Sequence, residues 1–229
     1  MLKLNLESLA NREAWAEKGI KLPEYDIDKM RENTKANPVW LHFGAGNIFR
    51  GFIAVLQQRL LNEGLAESGI IAADTFDYDM IDKIYKPYDN LVLNVGLKAD
   101  GNTSMEVVAS LAEAVKGDFA DANERQRLMA IIAAPSLQMV SFTITEKGYA
   151  LRDMEGNLLE IVKQDMTAGP QKPHHAMSVV TALLWERFQK GAQPIALCSM
   201  DNCSHNGEKL KTSVTEIACA WKDNGLVSA

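Results

Sequence analysis

A glycine-rich turn, Gly44-Ala45-Gly46-Asn47-Ile48-Phe49-Arg50-Gly51, separates two apolar segments of the sequence. Residues 39–43 before it predict a short buried strand, and residues 69–73 predict a second one. Between them the sequence predicts a helix that ends near Gly64. A strand, a helix and a strand within 35 residues form a βαβ unit, which implies a parallel sheet covered by helices. The apolar face predicted for this helix comprises Ile48, Phe49, Phe52, Ile53, Leu56 and Leu60.

The rest of the sequence continues this alternation of strands and helices. Further strands are predicted at 91–95, 105–109, 139–145 and 195–199, and helices at 122–133, 176–189 and about 208–222. Residues 149–162 predict a β-hairpin whose turn lies at 153–157. We therefore predict an α/β fold over residues 38–229, Rossmann-like and doubly wound, with a mainly parallel sheet and a β-hairpin insertion. Residues 1–37 predict a helical lead-in, which ends at Asn37-Pro38 because proline disfavours helix in the residue before it.

Composition and charge exclude several classes of protein. Of the 229 residues, 47% are hydrophobic and 24% are charged, which is a globular mixture and excludes disorder and fibrous repeats. The net charge of −6 repels phosphate backbones, so nucleic-acid binding is not expected. The longest uncharged stretch, residues 128–145, contains Pro135 and polar residues, and no membrane span or signal peptide is predicted. Three cysteines, few and odd in number, are typical of a reduced cytoplasmic protein.

The glycine-rich turn has the features of a phosphate-binding site. It joins a strand to a helix, where unpaired N–H groups at the helix N-terminus can hold a pyrophosphate. Gly44 would permit the tight turn and Gly46 would let the phosphates approach the backbone, whereas Phe49 replaces the third glycine of the dinucleotide fingerprint. The alternative is a tight turn that binds no ligand. The predicted cofactor-binding residues of this turn are Phe43, Gly44, Ala45, Gly46, Asn47, Ile48, Phe49 and Arg50.

An acidic residue ends the second predicted strand. Asp74 lies 23 residues beyond Gly51, where a carboxylate can accept hydrogen bonds from the ribose hydroxyls and disfavour a 2′-phosphate. This position indicates NAD over NADP as the cofactor. Asp77 is close enough to be the ribose partner instead. Alternatively, one or two of Asp74, Asp77 and Asp79 cap a helix that begins near Tyr78.

A polar cluster at residues 199–207 follows another buried strand. Ligands bind beyond the carboxyl ends of the strands in open α/β sheets, so Asp201, Asn202 and His205 are candidates for the substrate or nicotinamide end of a site. Alternatively, this segment is a turn in which Asn206 caps the last helix. No metal site is predicted, because the possible ligands lack a C-x-x-C pair and point in different directions; these are Cys198, Cys203, His205 and Cys219.

Three motifs, taken together in this order, resemble the mannitol dehydrogenase family of polyol-specific long-chain dehydrogenases. They are residues 42–50, residues 141–149, and residues 199–202 with 206–207. A weaker likeness runs from 91–95 to 110–114. The family includes fructuronate and tagaturonate reductases, and the Gly-Ala-Gly-Asn-Ile turn favours the fructuronate reductase (mannonate oxidoreductase) branch. Mannitol 2-dehydrogenase and tagaturonate reductase are the alternatives within the family.

The resemblance implies reversible, metal-free hydride transfer between NAD(H) and a sugar acid or polyol. Family members are considerably longer and place a catalytic lysine, asparagine and histidine in a helical C-terminal domain. No lysine of this chain has asparagine at the fifth position after it, as that pattern requires. The resemblance therefore implies a cofactor-binding half whose partners are the sugar substrate and the C-terminal domain of the same protein. Asp201 and Asn202 would face the cleft floor, and the catalytic base would lie outside this chain.

Two other classes of protein remain open on the sequence. A regulatory module would bind NAD without performing chemistry. A methyltransferase would use S-adenosylmethionine at a similar glycine turn, although the motifs at 143–149 and 199–207 argue against it. Ligand preference separates these classes.

Overall fold

The computed structural model describes residues 2–228. The strands are β1 Ile20–Lys21, β2 Trp40–Phe43, β3 Ile70–Asp74, β4 Val92–Leu97, β5 Thr103–Val108, β6 Leu111–Lys116, β7 Met139–Phe142 and β8 Ala196–Ser199. The α-helices are α1 Leu6–Leu9, α2 Arg12–Ala16, α3 Ile27–Ala36, α4 Ala54–Asn62, α5 Ala122–Ala133, α6 Glu146–Tyr149, α7 Glu160–Ala168, α8 Ala176–Gln189 and α9 Asn206–Asp223. Two π-helical turns, Phe49–Ile53 and Met80–Tyr85, complete the helical segments together with a 3-10 turn at Lys86–Tyr88.

The main sheet has five parallel strands in the order β6-β3-β2-β7-β8. In the main sheet, β2 is the first strand along the sequence. Strands β3 and β6 lie on one side of it, and β7 and β8 lie on the other. The order of the strands therefore reverses between β2 and β7, and in open α/β sheets ligands bind outside the carboxyl ends of the strands at such a point. This topology confirms the predicted α/β, doubly wound, mainly parallel fold.

The β-hairpin insertion lies elsewhere than the sequence predicted. Strands β4 and β5 pair antiparallel, and β1 joins β5 in parallel to form a second, three-stranded sheet. The predicted hairpin at 149–162 is wrong, since it contains one isolated bridge, between Arg152 and Leu158, and then continues into α7. Val162 and Met166 lie four residues apart and are both buried, so helical burial overrides the strand preference of the β-branched residues.

Strand β6 was not predicted, because its sequence Leu-Ala-Glu-Ala-Val-Lys is rich in residues that favour helices. It forms the edge of the main sheet beside β3, and Leu111, Ala114 and Val115 are buried there. Its Glu113 forms a bidentate ion pair with Arg127 of α5, with N–O distances of 2.6 to 3.1 Å. Strand β7 is shorter than predicted, ending at Phe142 before a loop that leads to α6.

The helix that follows the glycine turn buries only two of the six residues of its predicted apolar face. Phe49 and Ile53 are buried, but Phe52 is 62% exposed. Ile48, Leu56 and Leu60 are also exposed, so the prediction is wrong for these four positions. The π-helical turn at Phe49–Ile53 contributes to the difference, because it changes the angular spacing that a regular α-helix would have.

Two glutamines take the place of the missing apolar residues on the buried side. The Gln58 amide donates to the carbonyl of Val107 at 2.8 Å and accepts the N–H of Ala109 at 2.7 Å. The Gln57 amide donates to the carbonyl of Ser68 at 2.7 Å. These contacts satisfy backbone groups that would otherwise be buried without partners, so polar side chains are favoured where hydropathy alone predicts none.

The segment before residue 38 packs on the rest of the chain. Its β1 extends the second sheet, and Trp15 lies in a small apolar cluster with Leu91 and Val107. The hydroxyl of Thr34 in α3 accepts the N–H of Gly69 at 2.8 Å, immediately before β3. The helical lead-in is therefore held against both sheets.

One arginine near the end of α8 binds backbone carbonyls at three junctions between elements of the fold. Arg187 is buried, and all of its guanidinium nitrogens donate hydrogen bonds of 2.7 to 3.0 Å to backbone carbonyls. The acceptors lie at the end of α5, before β7 and before β8. They are Ile132, Ala134, Leu137, Gln193 and Pro194.

Candidate cofactor site

Gly44 forms the tight turn at the end of β2. Its φ is +103°, and a Cβ placed on it would lie 2.3 Å from the carbonyl oxygen of Thr143. Its N–H donates to the carbonyl of Ala73 at 3.0 Å. The turn is thus pressed between β3 and the segment after β7, and only glycine fits this position.

The N–H groups that follow the turn lack protein partners. Within residues 2–228, the N–H groups of Gly46, Asn47 and Ile48 find no hydrogen-bond acceptor. The helical conformation begins at Asn47, so these donors lie at the N-terminus of a helix of 16 residues, 47–62. A Cβ on Gly46 would meet no atom within 4 Å, which leaves the backbone open to a ligand. This arrangement fits a pyrophosphate.

The side chains of the turn divide into buried and exposed groups. The ring of Phe43 is buried against Phe142, and Ala45 is also buried, with its carbonyl accepting the Tyr85 hydroxyl at 2.6 Å. Asn47 and Ile48 are exposed at the surface. Phe43 and Ala45 can therefore shape the turn but cannot offer their side chains to a ligand. No local pattern points to Tyr85, because it lies 40 positions from its partner in the chain.

Phe49 takes the place of the third glycine of the fingerprint. Its ring is fully buried and stacks on the imidazole of His42, with centroids 4.6 Å apart and an interplanar angle of 16°. Helix and strand are therefore joined through two aromatic rings where the fingerprint would bring them together through a glycine. Phe49 is also the first residue of the π-helical turn.

Arg50 brings a positive charge to the same turn. One terminal nitrogen of its guanidinium donates to the side-chain oxygen of Asn47. Its Nε is buried and has no hydrogen-bond partner among the described residues. An anion bound at the turn would lie near this guanidinium.

Asp74 ends β3 beside the turn. One carboxylate oxygen accepts the N–H of Ala45 at 3.3 Å, and the other accepts the N–H groups of Phe76 and Asp77 at 2.9 and 2.8 Å. The carboxylate therefore stabilises both the glycine turn and the loop after β3. The side chain of Asp77 is exposed at the surface of that loop.

Of these three acids, Asp77 stands at the capping position of the helical segment, where its backbone carbonyl accepts the N–H of Met80 at 3.1 Å. The helical segment does begin at Tyr78, but Asp79 lies inside it and pairs with Lys83 at 2.6 Å on the surface. Asp74 accepts N–H groups of the loop before that segment and none of its own.

Asp201 is held inside its own loop. Its carboxylate accepts the hydroxyl of Tyr149, the N–H and thiol of Cys203 at 3.3 and 3.0 Å, and the Asn206 amide at 3.2 Å. Burial alone would raise the pKa of Asp201, but these hydrogen bonds together lower it, so the carboxylate is ionised. The Asp201 carboxylate is thus directed to partners on α6 and within its own loop.

The other residues of the cluster lie at the surface. Asn202 is exposed and its side chain has no partner among the described residues. His205 adopts a left-handed backbone conformation, with φ at 55°, and its Nδ1 lies 3.2 Å from the Glu208 carboxylate. His205 stands at the capping position of α9 but makes no side-chain cap bond, whereas the side-chain oxygen of Asn206, the first helical residue, accepts the N–H of Gly207 at 2.7 Å.

The described chain offers neither a metal cluster nor a membrane span. In residues 2–228, no group of three or more histidine, cysteine or acidic side chains is placed to hold a metal ion. Over the same residues, none of the helices combines the length and apolar character needed to cross a bilayer.

The strand order, the glycine turn with its unpaired N–H groups and the acid after the second strand together define a Rossmann-type domain of the dinucleotide-binding class. A family model described as the mannitol dehydrogenase Rossmann domain matches residues 38–227. The chain belongs to the mannitol dehydrogenase family, and the resemblance seen in the sequence is confirmed.

Individual relatives agree with this assignment. The chain is 49% identical over 226 residues to a D-mannonate oxidoreductase of Thermotoga maritima. The alignment covers 99% of this chain and 42% of the relative. It is 26% identical over 186 residues to the D-mannonate oxidoreductase of Escherichia coli, covering 79% of this chain and 37% of the relative. The chain thus spans about two fifths of the length of these curated relatives.

A solved structure has the same fold. It is the Pseudomonas fluorescens mannitol 2-dehydrogenase, determined as a ternary complex with NAD and D-mannitol. The TM-score is 0.75 at 24% identity, and the match covers 92% of this chain and 42% of that one.

Proposed function

We propose that this chain is the NAD-binding part of an oxidoreductase that transfers a hydride between NAD(H) and a sugar acid or polyol, with D-fructuronate and D-mannonate as the favoured pair. The observation that carries the proposal is the row of three unpaired N–H groups at Gly46, Asn47 and Ile48, beside an acid at the end of β3. The 49% identity with a D-mannonate oxidoreductase supports the choice of substrate.

The cofactor would lie across the carboxyl edge of the sheet. The turn at residues 44–50 would hold the pyrophosphate, with Arg50 adding a positive charge, and Asp74 or Asp77 would bind the adenosine ribose. When bound, NAD supplies the nicotinamide ring that accepts or donates the hydride. We propose residues 38–229 as the NAD-binding unit and residues 1–37 as its lead-in.

The substrate end would be formed by the loop at residues 200–206. Asp201 would position this loop through Tyr149 and Asn206, and the exposed Asn202 would reach the substrate or the nicotinamide. His205 would lie at the rim. We assign no catalytic base to this chain and expect the base in a C-terminal domain of the same protein.

A cytoplasmic location fits the three cysteines, which form no disulfide in the described part of the chain.

Titration of the chain with three ligands tests the proposal. We expect micromolar binding of NADH, at least about tenfold weaker binding of NADPH because of the acidic ribose partner, and no binding of S-adenosylmethionine. Isothermal titration calorimetry measures all three. Preferential binding of S-adenosylmethionine would instead indicate a methyltransferase, and binding of none of the three would contradict the proposal.

A pair of variants decides which acid binds the ribose. We expect Asp74→Asn to weaken NADH binding about tenfold, because the charge-assisted hydrogen bond to the ribose is lost. The preference for NADH over NADPH should become smaller. The matched variant Asp77→Asn removes the same charge three residues away and is expected to leave both affinities unchanged. If Asp77→Asn alters the preference and Asp74→Asn does not, Asp77 is the ribose partner.

A further inference from the structure

His42 lies in the middle of β2 and uses both of its ring nitrogens. Nδ1 is 2.6 Å from the hydroxyl of Ser141, and Nε2 is 2.8 Å from the hydroxyl of Thr143. The side chain is fully buried, and burial lowers its pKa to about 3, so the ring is neutral near pH 7. A neutral ring carries one proton, and its neighbours determine which nitrogen holds it.

The direction of each hydrogen bond follows from the two ends of the chain of contacts. At one end the carbonyl of Gly44 can only accept, so the Thr143 hydroxyl donates to it at 3.0 Å. Because this bond uses the only hydroxyl proton of Thr143, Nε2 of His42 must be the donor to Thr143. Nδ1 is then an acceptor, and the Ser141 hydroxyl donates a hydrogen bond to it.

The other end agrees with this direction. The indole Nε1 of Trp40 can only donate, and it lies 2.6 Å from the Ser141 oxygen, which accepts from Trp40 while donating to His42. Four side chains of β2 and of the segment that begins with β7 therefore form one directed relay that ends on the Gly44 carbonyl.

The end of the relay acts on a single peptide plane. The carbonyl of Gly44 and the N–H of Ala45 belong to one planar unit, so fixing both atoms fixes its orientation. Thr143 holds the carbonyl from the side of β7, and the Asp74 carboxylate holds the N–H from the side of β3 at 3.3 Å. The unpaired N–H groups start at the next residue, Gly46. His42 also fixes the start of the helix, because Phe49 stacks on its ring.

We propose that His42 and Thr143 are positioning residues for the cofactor: without touching it, they orient the Gly44–Ala45 peptide so that the following N–H groups point at the pyrophosphate. This inference rests on the proposed function. It assigns a role in cofactor binding to a buried histidine in the middle of β2.

Two substitutions at Thr143 test the inference. Thr143→Val keeps the shape of the side chain but removes the hydroxyl, and we expect it to weaken NADH binding about fivefold, as for the loss of one hydrogen bond. Thr143→Ser restores the hydroxyl and is expected to restore the affinity to the wild-type value. NADH fluorescence titration measures affinity, and thermal unfolding of each variant is recorded alongside.

Ser136 provides a matched control. Its hydroxyl also donates to a backbone carbonyl, that of Pro38 at 2.8 Å, but at the opposite end of β2. Ser136→Ala is expected to lower the unfolding temperature while leaving NADH affinity unchanged. If Thr143→Val binds NADH as tightly as the wild type, or if Thr143→Ser is as weak as Thr143→Val, the positioning role is wrong. Failure of the wild type to bind NADH would instead overturn the proposed function, and the inference with it.

Discussion

Replacing Arg187 with leucine is expected to lower the free energy of unfolding by at least about 4 kcal/mol, because five backbone carbonyls lose their donors at once. The guanidinium connects the end of α5, the start of β7 and the start of β8, so its loss affects three junctions of the fold. Its planar arrangement of five N–H groups is what matches five acceptors. Urea unfolding followed by circular dichroism measures the change.

Lysine at position 187 separates the charge from the geometry. Arg187→Lys keeps the positive charge but has only three donors on one nitrogen. We expect it to recover less than half of the free energy of unfolding that Arg187→Leu loses. Arg59→Leu removes an arginine from the exposed surface of α4, where it makes no hydrogen bond among the described residues, and should change stability by less than about 0.5 kcal/mol. If Arg187→Leu is as stable as Arg59→Leu, the five contacts do not support the fold.

Three glycine-to-alanine variants in the turn are expected to give three different results. Gly46→Ala should abolish measurable NADH binding without loss of stability, because its Cβ enters open space where the pyrophosphate would approach. Gly44→Ala should both abolish binding and destabilise the protein, since its Cβ would lie 2.3 Å from the Thr143 carbonyl at a positive φ.

Gly51→Ala is the matched control for these two variants. Gly51 lies in the π-helical turn, and its Cβ would make an ordinary contact of 3.7 Å with the Asn94 side chain. We expect unchanged NADH affinity and a slight gain in stability, because alanine is favoured over glycine within helices. Calorimetric titration and thermal unfolding of all three variants give the comparison. If Gly46→Ala binds NADH normally, the pyrophosphate does not lie over this turn.

The parts of the fold that the sequence predicted are those with strong local patterns. The strands β2 and β3 are short, mostly apolar runs that are buried in the sheet, as parallel strands with both faces covered require. Strand β8 was also predicted, but as an edge strand it is only partly buried, and α8 was predicted with its observed bounds. Strand β6 escaped prediction because its alanines and charged residues favour a helix, and only its pairing with β3 makes it a strand. The glutamines of α4 are buried through contacts with residues far along the chain, which no local pattern records.

In the candidate site, too, the features set by nearby residues were predictable and those set by distant contacts were not. The glycine turn was predictable, because its backbone geometry depends on the residues of the turn itself and on the two strands beside it. The orientation of Asp201 was not, because it depends on Tyr149, which lies 52 positions earlier. The role of Asp74 in holding Ala45 likewise depends on the parallel pairing of β2 with β3, which brings together residues 29 positions apart.

The three backbone contacts of Asp74 have a consequence for the evolution and engineering of cofactor preference. In many dehydrogenases, exchanging the ribose-binding acid for a smaller or basic residue is the direct route toward a phosphorylated cofactor. Here that exchange would also release the N–H groups of Ala45, Phe76 and Asp77. A lineage of this protein under selection for NADPH would therefore be driven to keep Asp74 and to accumulate its changes in the exposed loop that follows.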